Sequence, residues 1–340
     1  MLIPNALLVF TFLSGALASS GDRNPEFNAC VDRCQAESCQ PLQADTLPIG
    51  LRLTRWTCSD DCKYNCMHYI TDRAVEQGKL VEQYYGKWPF WRLGGIQEPA
   101  SVAFSLLNLW AHARGGAKIR RRISQDHPMR SYYLTWSMVG INAWIWSSVF
   151  HTRDLPVTEK LDYFAAALAI MYALYYTSLR VFHLYPVRQS SRLTLSSKTS
   201  GSWIHKALAT VCIVAYIGHV SYLTLLPRFD YAYNMAFNVG VGLAHNFLWI
   251  AYSLPASWSI LRRFPGRPKS YRPGFVNQAA LFVLLTTLAI ALELFDFPPW
   301  GRIIDAHSLW HLATVPIAFL WYDFLLADSL DPSWREQRLS

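Results

Sequence analysis

Apolar and polar positions alternate on a long scale in this chain: after residue 92, runs of about 20 mostly apolar residues are separated by polar connections. Such a run forms about 30 Å of helix, enough to cross the hydrocarbon core of a bilayer. The pattern therefore predicts an all-α membrane protein with seven transmembrane helices in one domain, 96–327. The predicted spans are 97–113, 132–151, 160–182, 204–226, 233–254, 275–294 and 306–327.

The N-terminal run is too short to be an eighth span. Residues 2–17 are largely apolar and end in Ala16-Leu17-Ala18, the small-x-small pattern of a signal-peptide cleavage site. We therefore predict a signal peptide, 1–18, that is removed after Ala18. Because the run is not preceded by Lys or Arg, an uncleaved anchor remains the alternative.

Six of the seven cysteines lie in a polar segment, 19–95, that follows the predicted signal peptide. An even number of cysteines in a short segment behind a signal peptide is typical of a disulfide framework in an oxidising lumen. A zinc cluster is the alternative, although the spacings Cx3C, Cx4C and Cx3C differ from CxxC pairs. The sequence leaves the pairing open, and Cys212 is expected to be a buried free thiol. The six are Cys30, Cys34, Cys39, Cys58, Cys62 and Cys66.

Composition agrees with a membrane protein, since 52% of the residues are hydrophobic and 16% are charged, against about 25% charged in soluble domains. The net charge of +8 is explained by topology rather than by nucleic acid. The first, third and fifth connections with their borders carry 16 Lys and Arg residues, and the even ones carry 4. Positive connections face the cytosol, so the cysteine-rich segment is expected in the lumen and the tail, 328–340, in the cytosol.

Three of the ten histidines share one membrane depth in this topology. His307 and His311 are one helical turn apart at the start of the seventh span, and His151 ends the second span. The i,i+4 spacing places two imidazoles on one helix face. Three histidines with an open position are typical of catalytic Zn²⁺. The sequence therefore predicts a metal site at the luminal ends of these spans.

Two further polar residues belong to the same layer. Ser147 precedes His151 by one turn, and Asp162 lies where the third span begins. A carboxylate at the entrance of a span is a functional candidate. Zinc would activate water and polarise a carbonyl group; Asp162 could accept the water proton, and Ser147 could donate to the developing oxyanion. His219, in the luminal half of the fourth span, remains open as a residue supporting the site.

The spacing of these five residues is similar to that of the CREST superfamily of seven-span metal hydrolases, which includes the alkaline ceramidases. Longer blocks resemble the post-GPI attachment to proteins factor 3 family of GPI-specific phospholipases. The blocks are WTCSDDCKY (56–64), GKWPF (86–90), QEPAS (97–101), NAW (142–144), FHTRD (150–154), RFDY (228–231) and DFPP (296–299).

The resemblance implies zinc-dependent hydrolysis of the sn-2 acyl ester of the GPI lipid on anchored proteins, in the endoplasmic reticulum or Golgi membrane. His151, His307 and His311 would hold zinc, with Ser147 and Asp162 beside it. Calcium is not expected, and Glu98 is interpreted as a helix cap in preference to a site residue. The alternatives are a non-enzymatic receptor or chaperone for GPI-anchored proteins and a ceramidase-type amidase.

Overall fold

The computed structural model describes residues 19–39, 47–185, 199–292 and 295–335. Across these ranges the chain is helical and forms no β-strand, as the apolar pattern predicts. The predicted signal peptide lies outside the described residues. Ten α-helices form within the described ranges: α1 (Pro25–Ser38), α2 (Ile49–Leu53), α3 (Cys58–Glu76), α4 (Pro99–Arg122), α5 (Arg130–Thr152), α6 (Pro156–Val181), α7 (Thr199–Leu225), α8 (Tyr231–Ser253), α9 (Val276–Ala291) and α10 (Ala306–Ser329).

Helices α1 and α3 form a small cysteine-rich domain held by three disulfides. Cysteines one turn apart lie on the same face of each helix, and their nested pairing joins the two helices in antiparallel orientation. The predicted disulfide framework is confirmed, and the alternative of a zinc cluster is wrong because the six sulfurs are bonded to one another. The pairs are Cys30–Cys66, Cys34–Cys62 and Cys39–Cys58.

Arg302, in the connection before α10, fastens the cysteine-rich domain to the remaining helices. Its guanidinium donates to His68 Nδ1 at 2.9 Å and to Asp72 Oδ1 at 2.6 Å, and its carbonyl oxygen accepts from Trp91 N at 2.9 Å. His68 is 4% exposed and donates from Nε2 to the Phe90 carbonyl oxygen at 3.0 Å. This arrangement requires a neutral imidazole, since Nδ1 must accept while Nε2 donates.

The folded protein is therefore expected to lose stability as the pH falls below 6.5. Burial and the nearby Arg302 charge lower the pKa of His68 from 6.5 to about 4. Because protonation is easier in the unfolded chain, its contribution is present above pH 6.5 and lost as the pH falls to about 4. The loss should be at most ~3 kcal/mol, measured by thermal unfolding in detergent at pH 7 and pH 4.5. His68→Gln keeps a donor and an acceptor, so equal pH dependence of both proteins would contradict the assignment.

Helices α4 to α10 occupy the positions of the seven predicted spans. Six of them pack in a ring in the order α4, α5, α6, α8, α9 and α10, with α10 closing against α4. Helix α7 lies outside this ring against α6, with a slighter contact to α8. At the end far from the cysteine-rich domain, the ring is filled by an aromatic core that includes Trp249, Tyr252, Phe282, Trp321 and Phe324.

Three of the described helices are long and apolar enough to cross a membrane: Pro156–Val181, Trp203–Leu225 and Ala306–Ser329. Val276–Ala291 is apolar but shorter. Helix α4 ends in three arginines and has a row of buried polar residues, which lowers its hydropathy. The structure thus contains a helix at each predicted span, but by length and composition three of these helices qualify as membrane spans.

Candidate metal centre

The imidazoles of His151, His307 and His311 converge at the end of the ring nearest the cysteine-rich domain. His307 Nε2 lies 3.2 Å from His151 Nε2 and 3.0 Å from His311 Nε2. His151 is 2% exposed and His311 is 1% exposed, while His307 is half-buried. The structure therefore brings together the three histidines that sequence topology placed in one layer, although 156 residues separate His151 from His307.

The start of α10 is fixed by a capping box. Asp305 Oδ1 accepts from Ser308 N at 2.8 Å, and Ser308 Oγ accepts from Asp305 N at 3.0 Å. This cap satisfies amide groups that the first turn leaves without intrahelical partners. It also sets where the helix begins, so that His307 and His311 occupy successive turns of one face.

Glu98 supports His151 instead of capping α4. It occupies the N-cap position, but its side chain makes no capping hydrogen bond. Its Oε2 accepts from His151 Nδ1 at 2.8 Å, and its other oxygen forms an ion pair with Lys87, which also pairs with Asp154 at 3.0 Å. The interpretation of Glu98 as a cap is wrong, because the carboxylate faces the histidine rather than the first amides of the helix.

The charge of Glu98 is well stabilised in this position. Lys87 forms an ion pair with one oxygen of the Glu98 carboxylate, which favours the ionised form of the carboxyl group. An ionised carboxylate can only accept hydrogen bonds, so the proton of the neutral His151 ring lies on Nδ1. The lone pair of His151 Nε2 is therefore directed at the other two imidazoles.

A pair of serine hydroxyls supports His311. Ser105 Oγ on α4 lies 2.9 Å from His311 Nδ1 and 3.0 Å from Ser147 Oγ on α5. Both serines are buried. Ser147, predicted from sequence, is thus connected to the histidine cluster through Ser105, which sequence reasoning missed.

Asp162 lies in the second turn of α6, the helix that packs against α5. Its carboxyl interacts electrostatically with His151 and His307. By contrast, His219 lies on α7 outside the helix ring, where its ring stacks on Phe237 of α8 with centroids 4.0 Å apart. His219 therefore packs against aromatic side chains of α8.

The donor set is suited to a zinc ion. At a Zn–N distance of 2.0–2.1 Å, two nitrogens of a tetrahedral site lie about 3.3 Å apart, close to the two separations from His307 Nε2 given above. Facing lone pairs repel one another unless a cation or proton lies between them. Three imidazoles also match the ligand type of catalytic zinc.

Replacing Glu98 by Gln is expected to weaken zinc binding about 10- to 100-fold, the usual effect of losing an outer partner of a ligand histidine. The amide removes the negative charge that fixes the His151 proton on Nδ1. Zinc affinity, measured by competition with a chelator in detergent, checks this. Glu159→Gln is the matched control, since Glu159 on α6 is bonded to Tyr231 rather than to a histidine. Equal affinities of the Glu98 variant and the control would contradict the role.

The missed residues follow a sequence signal that can be read in retrospect. From the N-cap of α4 to the middle of the helix, polar residues recur at helical spacing among apolar ones, and these residues are buried. Polar groups in a span usually face the interior of the bundle, so this row predicts which face meets α5 and α10. The row comprises Glu98, Ser101, Ser105, Asn108 and His112.

Comparison with known proteins gives the same family along nearly the whole chain. The model of the Per1-like family matches residues 48–329, which include every residue of the cluster. The Schizosaccharomyces pombe protein named "Protein PER1 homolog" is 41% identical over 323 residues, 94% of this chain and 89% of that protein.

Two animal relatives carry more descriptive names. "GPI-specific phospholipase A2-like PGAP3" of Xenopus laevis is 40% identical over 325 residues, 94% of this chain and 93% of that protein. "Post-GPI attachment to proteins factor 3" of Drosophila melanogaster is 37% identical over 326 residues, 93% of this chain and 91% of that protein. The resemblance read from the sequence blocks is confirmed, and the chain belongs to the Per1-like family.

Proposed function

We propose that this protein is a zinc-dependent hydrolase in the membrane that cleaves the sn-2 acyl ester of the GPI lipid on GPI-anchored proteins. The observation that carries the proposal is the convergence of three imidazole Nε2 atoms, with Glu98 and Ser105 at the opposite nitrogens of two rings. Zinc bound there would lower the pKa of water and polarise a carbonyl group. The names of the relatives support a lipid substrate related to GPI.

The serine pair can orient a substrate carbonyl through a directional chain of hydrogen bonds. If His311 uses Nε2 as a ligand, its proton lies on Nδ1 and is donated to Ser105 Oγ. The Ser105 hydroxyl then donates to Ser147 Oγ, which leaves the Ser147 proton available to a substrate oxygen. In this direction Ser147 is an oxyanion donor and not a nucleophile, because its neighbour Ser105 cannot accept its proton as a base.

Asp162 is the candidate general base. Asp162 is on α6, and its carboxylate interacts electrostatically with His151 and His307, so it would accept a proton from the attacking water. Addition of that water to the carbonyl carbon moves an electron pair onto the carbonyl oxygen. Collapse of this adduct would re-form the carbonyl group and break the bond to the glycerol oxygen, which would take the proton that Asp162 had accepted, so the products are a fatty acid and a lysolipid.

The membrane arrangement follows from the helices. We propose that α4 to α10 all cross the bilayer, with the histidine cluster at the luminal end. Support comes from α4, whose N-cap residue Glu98 contacts the cluster and whose last turn holds Arg120, Arg121 and Arg122, since arginines favour the cytosolic side. The luminal side is also where disulfides form, and GPI processing would place the protein in the endoplasmic reticulum or Golgi membrane.

To test this, the purified protein is placed in nanodiscs and incubated with an isolated GPI-anchored protein whose lipid carries two different acyl chains. Release of the sn-2 fatty acid and formation of the sn-1 lysolipid, followed by mass spectrometry, are expected. Cleavage of ceramide in place of the ester would favour the amidase alternative. If neither lipid is cleaved although the protein binds GPI-anchored proteins, the hydrolase proposal fails and a receptor or chaperone is favoured.

A further inference from the structure

Trp310 lies between the two histidines of α10 and contacts both. Its ring centroid is 5.4 Å from that of His307 and 4.8 Å from that of His311. Trp144 of α5 completes this wall, with its ring 5.2 Å from His311 and 6.3 Å from Trp310. Two indoles therefore border the side of the cluster where α5 meets α10.

The indole N–H of Trp310 is buried and has no hydrogen-bond acceptor among the described residues. A buried indole N–H normally finds a partner, because leaving a buried donor unpaired is energetically costly. Since Nε1 is shielded while the whole side chain is only half-buried, the polar edge of the ring points into the protein. The imidazoles of His307 and His311 are polar groups that this ring contacts.

We propose that Trp310 Nε1–H donates a hydrogen bond to the carbonyl oxygen of the substrate's acyl ester. An indole N–H can only donate, so its partner must be an acceptor such as this oxygen. The inference rests on the proposed hydrolase function, which brings the scissile carbonyl to the imidazoles that the Trp310 ring contacts. As water adds to the carbonyl carbon and negative charge grows on the oxygen, this donor would become more effective.

The experiment compares two phosphatidylinositol analogues that resist hydrolysis. One carries an sn-2 amide, which keeps the carbonyl oxygen, and the other carries an sn-2 ether, which lacks it. Trp310→Phe is expected to weaken binding of the amide analogue about 5- to 10-fold, the usual loss for one hydrogen bond, and to leave ether binding unchanged. Zinc content should stay the same. Trp110→Phe, an exposed tryptophan on α4, is the control that should change neither.

A second variant separates the donor from the shape of the ring. Benzothienylalanine at position 310 keeps the bicyclic outline and replaces the N–H by sulfur, so it should reproduce the effect of Trp310→Phe. In the hydrolysis assay, kcat of both variants should fall about 10- to 100-fold, with a smaller change in KM.

Equal weakening of amide and ether binding would assign Trp310 a packing role and overturn the inference. So would an unchanged affinity for both analogues, or full activity with benzothienylalanine. These results differ from failure of the proposed function, in which the unmodified protein releases no lysolipid from the ester substrate.

Discussion

Replacing His307 by Ala is expected to abolish release of the sn-2 fatty acid while the protein still folds. His307 links the cluster, since its Nε2 lies within 3.2 Å of both other Nε2 atoms. Without it only two imidazoles remain, too few for the three-ligand set of a catalytic zinc site. The purified variant should lose most of its zinc. Its activity should fall by more than about 100-fold, the upper end of what losing an outer partner costs.

His307 is the informative position because it is half-buried, so the truncation leaves a smaller cavity than at the fully buried His311. The matched control is His205→Ala, since His205 is also half-buried but bonds to Tyr175 on the far side of the bundle. Zinc measured by mass spectrometry, unfolding temperature and lysolipid should all be near wild type in the control. A His307→Ala protein that still carries zinc and cleaves the lipid would refute the metal centre.

The sequence predicted the helices and the histidine layer for a physical reason. A bilayer requires apolar runs of fixed length, and the charge difference between alternate connections sets which ends lie together. Those two constraints predicted one membrane depth for His151 and His307 without information on packing. They could not show that α7 stands outside the ring, because its apolar run resembles the runs that close the ring.

The sequence could not predict contacts that depend on the direction of a side chain. The cysteine count predicted bonds, but the pairing required the antiparallel approach of α1 and α3. Glu98 has the position of a helix cap, and only the meeting of α4 with α5 turns its carboxylate toward His151. Ser105 contacts His311 only because α10 packs against α4.

Arg180 is a second case in which position in the sequence gave an incomplete explanation. It was counted among the positive charges from which a cytosolic location of the third connection was predicted, yet its side chain is fully buried between α6 and α10. Its guanidinium donates to both oxygens of Asp328, at 2.7 and 2.6 Å, and to the Arg263 carbonyl oxygen at 2.8 Å. Tyr252 Oη donates to the same carboxylate at 2.8 Å. This network ties α6, α8 and α10 together at the end opposite the histidines.

Replacing Asp328 by Asn is therefore expected to lower the free energy of unfolding by ~3–5 kcal/mol, the typical effect of removing one partner of a buried ion pair. The amide leaves the Arg180 charge buried without its counter-ion. Unfolding in mixed detergent micelles, followed by circular dichroism, measures the loss. Asp323→Asn on the same helix is the matched control, because Asp323 pairs with Lys118 at the exposed surface; it should cost at most about 1 kcal/mol.

The double variant Arg180→Met with Asp328→Leu removes both charges and tests the cause of the loss. It should be more stable than Asp328→Asn alone, because replacing a buried pair by apolar residues of similar size is often neutral. Zinc content of the folded fraction should remain unchanged in all of these variants, since the network and the histidines lie at opposite ends of the bundle. A double variant less stable than the single one would mean that hydrogen bonds to Tyr252 and Arg263, rather than the unpaired charge, dominate this end of the protein.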